Sequence, residues 1–433
     1  MTNTTLTGPL GALRDNSAPL TPAVLRAHFG PFAAEPFDLA LAEDLDTARE
    51  LAELIGERLP AAAELELLEH DLATTKEELP LALHLAIKLA RSRALVRAHR
   101  GPLFLSVVFA VYKEHERILT SAEHPHGEDF LDRKLAQLEW LLDGREQADF
   151  ELVVVDDGCP EDSGGAVVDK AASLGERGSR VRVLKLADAI AAGSPVTTGL
   201  ASPDDSRKGG SVVLGMWDSI QTERPGHVVI FTDADLSTHL GQSGLLAAPI
   251  LAGGAAAIGS RRHPDSVVLK GGARNDRGKL FIYLWKGMLA PLGAITDTQC
   301  GFKAFDAGVL PAILPDMLER QFAFDIELLL RVALERGADS IGRSPIAWFD
   351  SEALSTTTDI QPYLPMLKKA AAMYRRYLDP SPAADAVAAL IEDLDEPRWQ
   401  ALLEVIPEAI TSRDPREFSD WRGVTPAELA ALA

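Results

Sequence analysis

Five short runs of aliphatic and β-branched residues stand out along the chain: LFLSVVFAVY (103–112), FELVVVDDG (150–158), RVRVLKL (180–186), HVVIFTDAD (227–235) and AAAIGSR (255–261). Stretches with helical spacing separate them. Near-continuous apolar runs predict strands buried on both faces, and their alternation with helices predicts a mostly parallel sheet covered on both sides. Ligands of such sheets bind beyond the carboxyl ends of the strands. Two of the runs end there in acid, as Asp156-Asp157 and as Asp233-Ala234-Asp235.

The flanks carry a different pattern. From Asp44 to Arg100 the chain is rich in Ala, Leu and Glu, and Leu83, Leu85, Ile87, Leu89 and Leu95 recur in a helical stretch. Pro60 and Pro80 divide this segment into separate helices. His70, His84 and His99 within it read as packing or surface residues. Beyond Tyr377 the segment DPSPAADAV reads as a linker or helix start, and acidic helices follow to Ala433. These would pack on the core or mediate homo-oligomerisation. The pattern thus divides the chain into a helical extension over 1–100, an α/β domain over 101–378 and a second helical extension over 379–433.

Charge narrows the partners. With 43 Lys and Arg against 64 Asp and Glu the formal net charge is −21, which disfavours nucleic acid and anionic lipid surfaces. The longest apolar run, LLAAPILAGGAAAIG (245–259), is too short and glycine-broken to span a bilayer, and reads as a buried helix–strand junction. Neither an integral membrane segment nor a signal peptide is read, and two cysteines fit a reducing cytoplasm.

Two carboxylates at the end of a buried strand are costly unless cations or hydrogen-bond donors compensate them. Mg²⁺ or Mn²⁺ bridging them to a substrate diphosphate is one such compensation, and a helix N-cap is the plainer alternative. Lys208-Gly209-Gly210, ahead of a helical stretch, offers close backbone approach to an anion. Arg261, Arg262, Lys270, Arg274 and Arg277 form the main cationic cluster, read as a clamp on phosphate or as a solvated surface strip.

The order of motifs resembles glycosyltransferase family 2, and within it the dolichyl-phosphate (polyprenyl-phosphate) glucosyltransferase branch. The resemblance runs through FLSVVFAVYKEHERI, ELVVVDDGCPEDS, RKGGSVVLGM, IFTDADLST, IGSRRH, RNDRGK, DTQCGFKAFD, FAFDIELLLRVALERG and PIAWFDSEALS, over roughly residues 103 to 377. It implies a GT-A fold, a Rossmann-like α/β domain that binds a nucleotide-diphosphate sugar with the help of Mg²⁺ or Mn²⁺. Carried over by position, Tyr112 and Glu114 would contact the base, and Asp156 and Asp157 would hold uracil or ribose. Asp233 would face ribose or metal, and Asp235 would ligate the metal. Lys208 would contact the nucleotide, Arg274 and Arg277 would lie near the phosphates, and Gln299, Cys300 and Gly301 would shape the sugar and acceptor pocket. Asp325 would be the catalytic base. If FAFDIELLL is helical, Glu327 points elsewhere, since positions two apart do not share a helix face.

The implied reaction is an inverting transfer of a hexose from a UDP-sugar. A hydroxyl acceptor needs a base, whereas a polyprenyl phosphate does not. Lys113 stands where the family usually has Asn, and Cys159 where it usually has Ser. Relatives with membrane acceptors often carry transmembrane helices or basic amphipathic segments; neither is read here, which favours a soluble acceptor. A nucleotidyltransferase or a non-catalytic nucleotide-sugar binder would also use an acidic strand end. The former usually places a glycine-rich loop straight after the first strand, where this chain has AVYKEHER.

Overall fold

The computed structural model describes residues 6–269, 275–349, 362–418 and 424–433. All five anticipated strands form: β1 (Leu103–Val111), β2 (Ala148–Asp156), β3 (Val181–Lys185), β4 (His227–Thr232) and β5 (Ala256–Ser260). Four more were not read as strands: β6 (Val267–Leu269), β7 (Phe302–Asp306), β8 (Ile341–Pro345) and β9 (Ala347–Phe349). β6 and β9 are three residues long, and β7 (FKAFD) and β8 (IGRSP) interrupt their apolar residues with charged or polar ones.

Seven strands make one sheet in the order β3-β2-β1-β4-β7-β5-β8, and β6 pairs with β9 alongside it. Pairing is parallel except around β7, which runs antiparallel to both β4 and β5. That reversal matters for the site. Phe302, the first residue of β7, pairs with Thr232, the last of β4. Residues 299–301 are thereby delivered to the edge where β1, β2, β4 and β5 end.

Alternate residues of the strands feed two hydrophobic clusters, one on each face. Val107, Phe109, Val154, Val228 and Ile230 join the first; Val108, Val153, Val155, Val229 and Phe231 join the second. The N-terminal helices Ala42–Arg58, Ala62–Leu72 and Leu81–Ala98 cover the first face together with the helix Phe130–Leu142. Their breaks fall at Pro60 and Pro80, as expected. The helices Gly209–Ser219, Asn275–Met288, Phe324–Arg336 and Tyr363–Tyr377 cover the second face, joined by the C-terminal segments. DPSPAADAV is a helix start, with Ser381 capping the amide of Ala384 and Pro382 in the first turn. The 245–259 run resolves into the helix Ser243–Leu251 and β5.

No described helix is long and apolar enough to cross a membrane. One expectation is corrected. The helix Tyr363–Tyr377 is amphipathic with a basic outer side, burying Leu364, Met366, Leu367 and Met373 while exposing Lys368, Lys369, Arg375 and Arg376. The sequence reading missed it because the overall acidity and the run of alanines hide the basic stripe until the helix is folded.

Candidate active site

The two acidic strand ends are built differently. Asp156 closes β2, and both of its oxygens accept backbone amides: Cys159 N–H at 2.8 Å and Gly164 N–H at 3.0 Å. A Cβ on Gly164 would overlap that carboxylate, so glycine is required there. Asp157 accepts the Lys208 amide at 2.7 Å and the Ser211 hydroxyl at 2.6 Å. Burial pushes its carboxyl up, opposed by those donors and by Ser206. Lys208 adopts φ +89° at the entry of the helix Gly209–Ser219, a conformation held in place by the bond to Asp157. Gly210 N–H donates to Arg320 O at 2.7 Å, and a Cβ on Gly209 would strike the Arg320 and Gln321 carbonyls.

Asp233 and Asp235 follow β4 and keep their carboxylates toward the cleft. The Lys208 ammonium pairs with Asp233 Oδ1. Burial alone would raise Asp233, yet Lys208, Lys134 and Arg261 hold it below the ordinary carboxylate range. A Cβ on Gly301 would fall on the Asp233 carboxylate, which explains glycine at that position. Asp235 Oδ1 accepts the Ser237 amide at 3.0 Å and its hydroxyl at 2.5 Å. Its Oδ2 has Arg117 at 4.0 Å. Both side chains stay about a quarter to a third exposed.

Asp325 sits in the first turn of the helix Phe324–Arg336, with Gln299 Nε2 at 2.6 Å from Oδ1 and Lys303 Nζ at 3.1 Å from Oδ2. Burial raises its carboxyl against the pull of those two donors and of Lys208. Burial disfavours the Lys208 ammonium, yet the charges of Asp233, Asp235 and Asp325 together hold it above the ordinary lysine range. Glu327 faces away. It is fully buried, accepting the amides of Leu318 and Glu319 at 2.7 Å each and the Tyr377 hydroxyl at 2.6 Å.

At the end of β1, Tyr112 presents an exposed ring with Lys113 Nζ 5.7 Å from its centre. Glu114 accepts from Arg117 at 3.2 Å, and burial raises its carboxyl to about 7. Cys159 Sγ accepts the Lys113 amide at 3.1 Å and lies 3.1 Å from Ser163 Oγ. A thiol therefore fills the place expected for a serine hydroxyl. Cys300 is fully buried, and burial lifts its thiol to about 12, which keeps it a neutral group. Arg277 is exposed near the start of the helix Asn275–Met288; Lys270 and Arg274 lie outside the described residues. Arg261 is tied to Asp297 by a fork of 2.8 and 2.9 Å bonds, which draws it out of any free phosphate clamp.

Four residues were missed. Lys134 is fully buried and donates to the carbonyls of Asp233 and Asp235 at 3.0 and 2.8 Å. Arg117 forks onto Glu128 while approaching Asp235. Lys303 and Asp297 complete the pairs around Asp325 and Arg261. A lysine on the apolar face of an amphipathic helix was the one available signal for Lys134.

No group of three or more His, Cys, Asp or Glu among the described residues is placed to hold a metal on its own. Two partly exposed carboxylates two residues apart nonetheless match the way hard cations are shared between a protein and a substrate diphosphate.

No protein-family model matches the chain. It is 29% identical over 238 residues to a dolichyl-phosphate beta-glucosyltransferase of Drosophila melanogaster, covering 52% of this chain and 62% of that protein. A second dolichyl-phosphate beta-glucosyltransferase, from Trichomonas vaginalis, is 25% identical over 256 residues, covering 57% and 64%. The chain thus spans just under two thirds of the length of these relatives. Among solved structures, glucosyl-3-phosphoglycerate synthase from Mycobacterium tuberculosis, in complex with Mn²⁺, UDP-glucose and phosphoglyceric acid, aligns with 68% of this chain and 85% of its own at 18% identity and a TM-score of 0.42. In sequence the chain is similar to glycosyltransferases, as its motifs imply.

Proposed function

We propose that this protein is an inverting glycosyltransferase that moves a hexose from a UDP-sugar to an acceptor. The observation that carries the reading is the pair Asp233 and Asp235 just after β4, both partly exposed, with the Lys208 ammonium on Asp233. The sequence similarity to dolichyl-phosphate glucosyltransferases supports it.

In this reading the β1 and β2 loops, with Tyr112, Glu114, Asp156 and Asp157, receive the base and ribose. Gln299, Cys300 and Gly301 would wall the sugar and acceptor side, with Arg277 toward the phosphates. Asp235 and Asp233 would hold Mg²⁺ or Mn²⁺, which when bound offsets the charge of the departing diphosphate. Lys208 stands ready to leave Asp233 for that diphosphate. Asp325, raised by burial and oriented by Gln299 and Lys303, takes the proton of an acceptor hydroxyl. The acceptor oxygen bonds to the anomeric carbon as the bond to UDP breaks on the opposite face, so configuration inverts. Two free cysteines fit a cytoplasmic setting.

A second reading keeps the donor chemistry but gives a polyprenyl phosphate as acceptor. The sequence similarity to dolichyl-phosphate glucosyltransferases favours it. An anionic phosphate needs no base, so Asp325 would then only orient it. Incubating the protein with UDP-glucose and Mn²⁺, and offering hydroxyl acceptors in buffer or polyprenyl phosphate in detergent, separates the two. Absence of transfer and of donor hydrolysis across UDP-sugars would overturn both.

A further inference from the structure

We infer that Lys134 is a positioning residue for the proposed metal–diphosphate site, acting from beneath the turn that carries Asp233 and Asp235. The inference rests on the donor reading above. Its warrant is geometric. The helix Phe130–Leu142 runs behind that turn and reaches it twice. Lys134 Nζ donates to the Asp233 carbonyl at 3.0 Å and the Asp235 carbonyl at 2.8 Å. Three residues on, and so on the same side of the helix, Gln137 Oε1 accepts the Leu240 amide at 2.8 Å. Residues 233–235 lie outside regular secondary structure, so their carbonyls have no sheet or helix partner to fix them. The ammonium supplies that partner.

Drawing two carbonyls inward leaves the two carboxylates pointing the other way, toward the cleft. The lysine side chain has no exposed surface and crosses the Phe109 ring with Nζ 5.4 Å from its centre. Such a group is costly to bury, and the nearby negative charges of Asp235, Asp233 and Glu128 offset part of that cost. Nothing touches Lys134 from the cleft side that would make it a reacting group. It acts through the backbone of the acids, as outer partners of metal ligands do.

The test compares wild type with Lys134→Met. UDP affinity is measured by calorimetry with Mn²⁺ and with a chelator, and amide hydrogen exchange is followed over residues 232–240. The variant is expected to lose roughly 10–100-fold in UDP affinity with Mn²⁺, to change less than about twofold without it, and to exchange faster at 233–238 alone. Unchanged affinity with Mn²⁺, or equal losses in both conditions, would overturn the inference. Should wild type gain nothing from Mn²⁺, the donor reading fails, and the exchange data then decide the anchor by themselves: faster exchange confined to the turn upholds it, unchanged exchange refutes it. If Lys134→Met does not fold, Lys134→Gln keeps two N–H donors without the charge. The same readouts apply, with a smaller loss expected and the same overturning results.

Discussion

The carboxyl ends of β2 and β4 carry the same sequence signal, a pair of aspartates after a run of valines and isoleucines, and they are put to different uses. After β2 the carboxylates turn inward. Asp156 ties down the amides of Cys159 and Gly164, and Asp157 fixes the backbone of Lys208. After β4 Lys134 ties down the backbone carbonyls instead; Ser237 donates to one oxygen of Asp235, and the two carboxylates otherwise stand beside Lys208 and Arg117. An acid with its lone pairs filled by amides builds a loop; an acid held by cations in a cleft is prepared to exchange them for a ligand. The helix Phe324–Arg336 repeats the lesson two residues apart, with Asp325 at the cleft and Glu327 holding a turn.

The sharpest break of this comparison is Asp235→Asn. Loss of one cleft carboxylate is expected to lower turnover on the order of a thousandfold, several kcal/mol of charge stabilisation, with an unchanged melting curve. An assay of UDP release with circular dichroism alongside checks both halves. Asp325→Asn comes next. With a hydroxyl acceptor, kcat should fall by about a hundredfold or more; with a polyprenyl phosphate it should hold, which sorts the two acceptor readings.

Asp156→Ala sharpens the contrast from the other side. Two amides lose their acceptor, so stability should drop by about 2–3 kcal/mol, seen as a lower midpoint in urea at unchanged slope. The mildest intervention is a change of pH, read at Glu114. Its carboxyl, raised by burial to about 7, stays protonated in the fold at pH values where the unfolded chain has already released the proton. Stability from this group is therefore present below about pH 4.5 and is lost as pH rises to 7. Glu114→Gln should flatten that slope, and ¹³C carboxyl shifts should show the titration directly.

Much of this was legible in the sequence. The first five strands announce themselves through apolar runs, and Pro60 and Pro80 mark real helix breaks. Lys208 and Gly301 meet Asp233, and Gln299 meets Asp325. What stayed hidden depends on partners far apart in the chain. β7 carries FKAFD, its apolar residues interrupted by charged ones, yet its reversal alone brings Gln299 to Asp325. Arg261 looked like part of a phosphate clamp because nothing local shows that Asp297, 36 residues on, claims it. Lys134 reads as one polar residue in an amphipathic helix until the turn it supports, a hundred residues later, is folded against it.

The central claim is that the acids after β4, and not those after β2, take the metal and diphosphate. Calorimetric titration of UDP in the presence and absence of Mn²⁺, on wild type, Asp235→Asn and Asp156→Asn, tests it most directly. The account predicts that Asp235→Asn abolishes the Mn²⁺-dependent gain in affinity while Asp156→Asn keeps it. A retained gain in Asp235→Asn, or its loss in a folded Asp156→Asn, would contradict the account.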